Sequence, residues 1–223
     1  MDLMNDKVTV LDNFLPGYYE DLIETIVTYH SPFTIGSTHS NTAPPIKKYS
    51  LSQPNKNIFE QFQLCHTIIN KFEPGFDSKS NNYLNWGHYL FTPLQMGLAK
   101  IGYHACLDDI IRIKLNLQTS SSRNKNQYNN PHIDVPDIPD QDKIYTAIYY
   151  INDNDGDTFL FNEPFGTSYD NLTIQQTISS KKGRLVIIPS TLLHAGSHPI
   201  NSPYRLVANY NFYLIPLNIY LDT

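Results

Sequence analysis

IYTAIYYINDNDGDTFLF, residues 144–161, sets two β-rich apolar runs on either side of a polar turn. Ile144–Ile151 is dense in Ile, Tyr and Thr, which suit a pleated, buried surface. Asp153-Asn154-Asp155-Gly156-Asp157 reads as a hairpin turn, and Thr158–Phe161 as the next strand. A calcium loop with Gly156 at its sixth position would begin at Ile151 and end at Asn162, where a carboxylate and a bidentate Glu are needed. Neither is present, so the turn is structural.

Working outward, Ile110–Leu117, Leu172–Ile178, Arg184–Pro189 and Tyr204–Leu214 also read as strands, with Lys181-Lys182-Gly183 as a second hairpin signal. Many short strands separated by turn chemistry indicate an antiparallel double sheet. The fold class expected is mainly β with supporting α-helices, around a double-stranded β-helix (jelly roll, cupin-like) core. Upstream, Val8–Leu11 reads as a strand. Pro16 opens a helix with Tyr19, Ile23 and Val27 on one line and Leu22, Ile26 and Tyr29 on the next. Ser31–Pro54, rich in Pro and Ser, reads as mostly loop. Ile58, Phe62, Ile69 and Phe72 recur at helical spacing and predict a second helix over Asn57–Phe72. One domain is expected over residues 1–223, with 1–105 as helical and strand support and 106–223 as the double-stranded β-helix core.

Composition narrows the function classes. Hydrophobic residues make up 40% and aromatics 13%, which supports a packed globular chain. A net charge of -5, and only Lys47-Lys48 and Lys181-Lys182 as adjacent basic pairs, argue against a nucleic-acid groove. Cys65 and Cys106 sit in apolar surroundings and read as small buried hydrophobes rather than a disulfide framework. The start shows neither a basic leader nor an apolar run, and no stretch is long enough to span a bilayer, so a cytoplasmic, membrane-free protein is expected. Oligomeric state is left open.

Chemistry enters with His132-Ile133-Asp134. On an extended segment His132 and Asp134 point to the same face, where an imidazole and a carboxylate can hold a divalent metal. With 8 His and 16 Asp in 223 residues, chance supplies such a triplet in about every other chain, so the triplet needs support. His194 is the best third ligand, because it follows a strand and precedes the small residues Ala195-Gly196; His198, four residues on, is its rival. Two histidines and one carboxylate with open positions suit non-haem iron(II). Eleven residues after His194, Arg205 stands in an apolar strand, where a guanidinium needs an anionic partner. A metal face beside a carboxylate-binding arginine is what a 2-oxo acid cosubstrate requires.

These residues carry a resemblance. His132-Ile133-Asp134, Ile148–Asn152, Asp155–Thr158, Lys182–Val186, His194-Ala195-Gly196 and Arg205 follow the order and spacing of the iron(II)/2-oxoglutarate-dependent dioxygenase superfamily, prolyl 4-hydroxylase-like branch, through roughly 100 residues from Ile110 to Phe212. The first hundred residues resemble it only as helical support. The resemblance implies that His132, Asp134 and His194 bind iron(II). It implies that Arg205 pairs with the distal carboxylate of 2-oxoglutarate and that Tyr150 donates a hydroxyl to it. Asn116 and Asn209 are placed near the cosubstrate, although relatives often have a small hydroxyl residue where Asn209 stands. Thr146, Ile148 and Tyr150 share one strand face, as do Arg205, Val207 and Asn209.

The implied activity is hydroxylation of a C–H bond with release of succinate and CO2, ascorbate being an allowed auxiliary. Halogenating relatives lack the carboxylate, so Asp134 implies hydroxylation. The expected partner is a peptide, protein or amino-acid substrate, with a prolyl or other side chain in a peptide ahead of a free amino acid. Nucleobase demethylases carry a second arginine six residues after the clamp, where this chain has Asn211. Residues 119–130, polar throughout, are expected to close over the substrate or to be a connection with no role. Abundant Asn, Tyr, Ile and Lys suit an AT-rich genome; the resemblance, whose short, compact members occur in marine viruses and bacteria, would put a viral protein in the host cytoplasm. Against these stand a non-oxygenase cupin-type metal protein, which would not need Arg205 or the Tyr149-Tyr150 strand, and an inactive interaction sandwich.

Overall fold

The computed structural model describes residues 8–36, 63–71, 87–134 and 140–217. In chain order its elements are β1 (Thr9–Leu11), α1 (Gly17–His30), β2 (Thr34–Gly36), β3 (Gln63–Asn70), α2 (His88–Lys100), β4 (Tyr103–His104), β5 (Ile110–Thr119), β6 (Ile144–Tyr150), β7 (Thr158–Phe161), β8 (Ile174–Ile178), β9 (Leu185–Pro189), β10 (His194–Gly196), β11 (Tyr204–Tyr213) and β12 (Ile215–Pro216). Two antiparallel sheets dominate, one ordered β1-β9-β6-β11-β5-β3-β2 and a smaller one ordered β10-β7-β8. Strands β12 and β4 form a separate pair. This is the jelly-roll core with helical support that the strand pattern predicts.

Side-chain parity builds the layers. On the outer face of the large sheet, Ile113 and Leu115 of β5, Ala147 and Tyr149 of β6, Leu185 and Ile187 of β9, and Leu206, Ala208, Tyr210 and Phe212 of β11 pack with the helices. The alternate residues Ile148, Tyr150, Val186, Ile188 and Val207 meet Leu160 and Ile178 of the small sheet. The buried space between the sheets is apolar at one end and polar at the other, and the polar end is the candidate site.

Three expectations are corrected. Residues 63–70 form a strand, not the end of a helix; residues 57–62 and 72 lie outside the described residues. The run Thr67-Ile68-Ile69 is stiff at χ1 and suits a pleat. Pairing with β5 through Leu64↔Leu117 and Cys65↔Asn116 settles it, so tertiary partners outweigh the helical spacing of Ile69 and Phe72. The passage from Ser31 likewise includes a strand at Thr34–Gly36, while 37–54 lies outside the described residues. The turns at 153–157 and 181–183 are not hairpins: β6 and β9 belong to the large sheet and β7 and β8 to the small one, so these turns carry the chain across the sandwich and back. The hairpin is β7–β8, from Thr158↔Ile178 to Phe161↔Ile174.

Helix α2 has no counterpart in the sequence reading because it contains Pro93 and Gly97. Those cost a helix interior about 3 and 1 kcal/mol. Leu90, Leu94 and Leu98 on one face are fully buried, and burial of such a side chain contributes about 1.5–3 kcal/mol each, which wins. Gly97 also permits close approach: a Cβ there would lie 2.3 Å from Leu185 Cδ2. No described helix is long and apolar enough to cross a membrane.

Candidate active site

The small sheet brings the metal-ligand candidates together. His132 bridges to His194 in antiparallel register, with His132 N donating to His194 O at 2.9 Å and His194 N to His132 O at 3.0 Å. Strand alternation then turns Ile133, Phe159, Phe161 and Ala195 outward into one apolar cluster. His132, Asp134 and His194 turn inward, and their candidate ligand atoms all lie within 4.8 Å of one another. His194, not His198, is the third member. The His198 ring Nδ1 lies 2.9 Å from Thr119 O instead.

Each histidine is aimed by its own backbone. His132 Nδ1 lies 2.9 Å from Asn130 O and His194 Nδ1 3.0 Å from Leu192 O. A carbonyl accepts, so Nδ1 carries the proton and Nε2 presents its lone pair inward. His194 Nε2 is buried without a hydrogen-bond partner. Burial, reinforced by neighbouring His194, pushes His132 down to about 4 and keeps it neutral. Burial acts to raise Asp134, but the Arg112 guanidinium, helped by the Asn211 amide, outweighs it and holds the carboxyl well below the usual range. Two imidazoles aimed inward beside a carboxylate, with the His194 Nε2 nitrogen orphaned, fit a divalent metal with open positions, and the donor set suits iron(II).

Arg112 and Asn211 hold Asp134 in place. Arg112 Nη2 donates to Asp134 Oδ1 at 2.9 Å, and Arg112 Nε to Asn211 Oδ1 at 2.9 Å. Asn211 Nδ2 donates to Asp134 Oδ2 at 3.3 Å and Thr146 Oγ1 at 2.9 Å. The residue noted only for what it is not, Asn211, thus orients the carboxylate.

Across the cleft, Arg205 is 4% exposed and spends its donors on neutral atoms: Nε on Gly156 O at 3.1 Å, Nη1 on Gln118 Oε1 at 3.0 Å and Nη2 on Thr158 Oγ1 at 3.0 Å. Tyr150 lies behind it, the guanidinium carbon 5.6 Å from the ring centroid. Its hydroxyl donates to Thr158 Oγ1 at 2.6 Å, and Tyr150 does not line the cleft. No carboxylate of the described residues forms an ion pair with Arg205, and a buried uncompensated charge costs several kcal/mol. The triad and Arg205 face one cleft of about 640 Å³, open mouth included, which Asn116 and Asn209 also line. Cys65 Sγ donates to Asn116 Oδ1 at 3.5 Å. Asn209 Oδ1 and, on the far wall, Asn129 Oδ1 are buried without a partner. Such orphans are few in folded proteins and mark places where a ligand bonds.

Sequence reasoning missed Arg112, Lys114, Gln118 and Thr158, although Arg112, Lys114, Asn116 and Gln118 alternate along β5 onto the cleft. The polar segment 119–130 is anchored rather than an idle connection. Arg123, 4% exposed, donates to the carbonyls of Asn124 at 2.9 Å, Lys125 at 2.8 Å, Gln127 at 3.2 Å and Asp155 at 3.3 Å, and to that of His198. Tyr128 packs on the small sheet's outer face, edge-on to Phe161 with ring centroids 5.0 Å apart. Asn129 alone of this segment lines the cleft.

Residues 117–213 match the 2OG-Fe(II) oxygenase superfamily. The non-heme alpha ketoglutarate dependent epimerase SnoN from nogalamycin biosynthesis superposes with a TM-score of 0.58 at 8% identity, covering 94% of this chain and 79% of that one. A 2OG-Fe(II) oxygenase family oxidoreductase from Burkholderia pseudomallei gives 0.56 at 10% identity, over 92% and 85%. A Pseudomonas putida prolyl-4-hydroxylase gives 0.46 at 15% identity, over 93% and 92%. No curated protein sequence matches the chain. The matched stretch, which holds His132, Asp134, His194 and Arg205, is thus similar to the 2OG-Fe(II) oxygenase superfamily, and the fold of the whole is similar to that of such proteins.

Proposed function

We propose that this enzyme hydroxylates a C–H bond of an amino-acid side chain, in a peptide or protein or in a free amino acid, consuming 2-oxoglutarate and dioxygen and releasing succinate and CO2. The carrying observation is the placement of a buried arginine, with only neutral hydrogen-bond partners among the described residues, across one cleft from a His-Asp-His triad. His132, Asp134 and His194 hold iron(II), which when bound supplies dioxygen activation. Arg205 receives the distal carboxylate of 2-oxoglutarate, with Gln118 and Thr158 fixing the guanidinium plane and Tyr150 backing it. Asn116 and Asn209 orient the cosubstrate beside the metal. The fold alone does not choose the reaction, since a similar fold carries an epimerase.

The test is anaerobic. Protein given both iron(II) and 2-oxoglutarate should develop a visible charge-transfer band that neither gives alone. Admitting air with ascorbate, and with peptide libraries or free amino acids, should yield succinate and a product heavier by one oxygen atom. A band with no oxygenated product from any amino-acid substrate would reject the substrate class; no band would reject the oxygenase reading.

Gly156 gives a finer test. A Cβ there would lie 2.6 Å from Ser197 O and 2.7 Å from Arg205 Cδ. Gly156→Ala should displace the guanidinium and raise the 2-oxoglutarate concentration that half-develops the band by about tenfold or more, because displacements near 1 Å at a binding group cost up to about a hundredfold. An unchanged midpoint would mean that Arg205 does not meet the cosubstrate.

A further inference from the structure

Strand β5 turns Arg112, Lys114, Asn116 and Gln118 onto the cleft, and three of these are engaged: Gln118 with Arg205, Asn116 with Cys65, Arg112 with Asp134 and Asn211. Lys114 is half-buried and lines the cleft, and its ammonium has no hydrogen bond or ion pair among the described residues. Opposite it on β11 is Asn209, whose Oδ1 is orphaned. Arg112 uses Nε and Nη2, and its Nη1 has no hydrogen bond among the described residues.

Charge decides what this corner is for. Iron(II) brings two positive charges and 2-oxoglutarate two negative ones, so the pair is neutral. Among the described lining residues Arg112, Lys114 and Arg205 are cationic, and Asp134 is the only carboxylate. With metal and cosubstrate in place the described lining of the cleft therefore carries a net charge of two positive units, at low effective dielectric. Its lining is also poor in apolar surface, with Ile148 and Val207 as the described apolar side chains. A neutral prolyl ring there would strip water from cationic and amide groups and return no hydrogen bonds.

We infer that the substrate carries a carboxylate received by Lys114 and the Nη1 edge of Arg112, so that its class is an acid: a free amino acid held by its α-carboxylate, or an acidic side chain in a peptide. This rests on the oxygenase reading above and narrows its substrate.

The experiment is calorimetric titration under argon of the protein loaded with iron(II) and 2-oxoglutarate. One arm compares free amino acids with their C-terminal amides. The other compares N-acetylated, C-amidated peptides containing Glu or Asp with the same peptides containing Gln or Asn. In one arm the acid should bind at least about tenfold tighter than its amide, as a charge-assisted hydrogen bond warrants. The arm that responds identifies the source of the carboxylate. Lys114→Met, which keeps length and loses charge, should reduce that preference to about twofold or less, and Lys114→Arg should restore it. The effect of Lys114→Met should fall on the acid's Kd and not on the 2-oxoglutarate concentration that half-develops the charge-transfer band. Equal binding of acid and amide in both arms, or no binding in either, overturns the inference. So does a Lys114→Met effect that falls on 2-oxoglutarate, which would make the lysine part of the cosubstrate site. A band with no acid preference removes this inference alone; no band in the wild-type protein removes the oxygenase reading with it.

Discussion

Asp134→Ala is expected to abolish the charge-transfer band and to lower 2-oxoglutarate-dependent succinate release by at least about a hundredfold, since even partners behind a ligand are worth 10–100-fold in metal affinity. The carboxylate is the one anionic ligand of the triad and bears bonds from Arg112 and Asn211, so its loss has a second effect. It leaves the Arg112 guanidinium, whose side chain is 11% exposed, without its counter-charge, and breaking a buried pair costs about 3–5 kcal/mol. Asp134→Asn separates the two effects. Its amide oxygen still accepts from Arg112, so its melting temperature should fall less than that of Asp134→Ala, with the band still lost. A full band in Asp134→Asn would remove the carboxylate from the metal site. Acid should destabilise the metal-free protein as well. His132 sits near 4 in the fold against an ordinary value of 6.5, so the unfolded chain takes up that proton first. The stability of the neutral ring is present above about pH 6.5 and is lost as pH falls toward 4. Asp134, also held low, loses its contribution in the same direction, further into acid. Thermal melts of the metal-free protein should therefore fall between pH 7 and 5, and His132→Asn should flatten that slope.

What was legible was what is local. Alternation within β6 and β11 placed Thr146, Ile148 and Tyr150 on one face and Arg205, Val207 and Asn209 on another, and the sheet keeps both sets facing the interior. The period-two geometry of His132-Ile133-Asp134 holds because Ile133 anchors outward in an apolar cluster. What was hidden depends on pairing across the chain. β3 takes its conformation from β5, more than 40 residues away, so a helical spacing at its end misled. Arg112 lies 22 residues from Asp134 and meets it only because β5 of one sheet faces the segment that extends the other. The pattern Arg112-Ile113-Lys114-Leu115-Asn116-Leu117-Gln118 was nonetheless readable as a half-polar strand, and it would have flagged the polar wall. Nothing local says that Tyr150 spends its hydroxyl on Thr158 behind Arg205, since β6 and β7 belong to different sheets.

Arg205→Met is expected to weaken 2-oxoglutarate by at least about a hundredfold while leaving the cosubstrate-free protein as stable as the wild type, or more so. The two halves follow from one fact. In the free protein the guanidinium is buried with three neutral acceptors and no ion pair among the described residues, so the fold carries its desolvation cost without the compensation of a salt bridge there. Methionine fills a similar volume beside Tyr150 and Val207 and removes that charge, and such apolar replacements of buried charges are often neutral or stabilising. Gln118 and Thr158 lose a donor each, which offsets part of the gain. With 2-oxoglutarate present the balance reverses. The wild type recovers a bidentate, charge-assisted pair, and loss of one partner of such a pair costs about 2–5 kcal/mol of binding, a factor of a hundred at about 2.7. Cosubstrate should therefore raise the wild-type melting temperature in proportion to the logarithm of its concentration and leave that of Arg205→Met flat. Arg205→Lys, which keeps the charge but not the fork, should fall between them. Three results would speak against a clamp: a variant destabilised in the absence of cosubstrate, a 2-oxoglutarate shift that survives the substitution, or a lysine as good as the arginine. The guanidinium would then be a structural cation of the sandwich, and the anion it lacks would have to come from elsewhere in the chain.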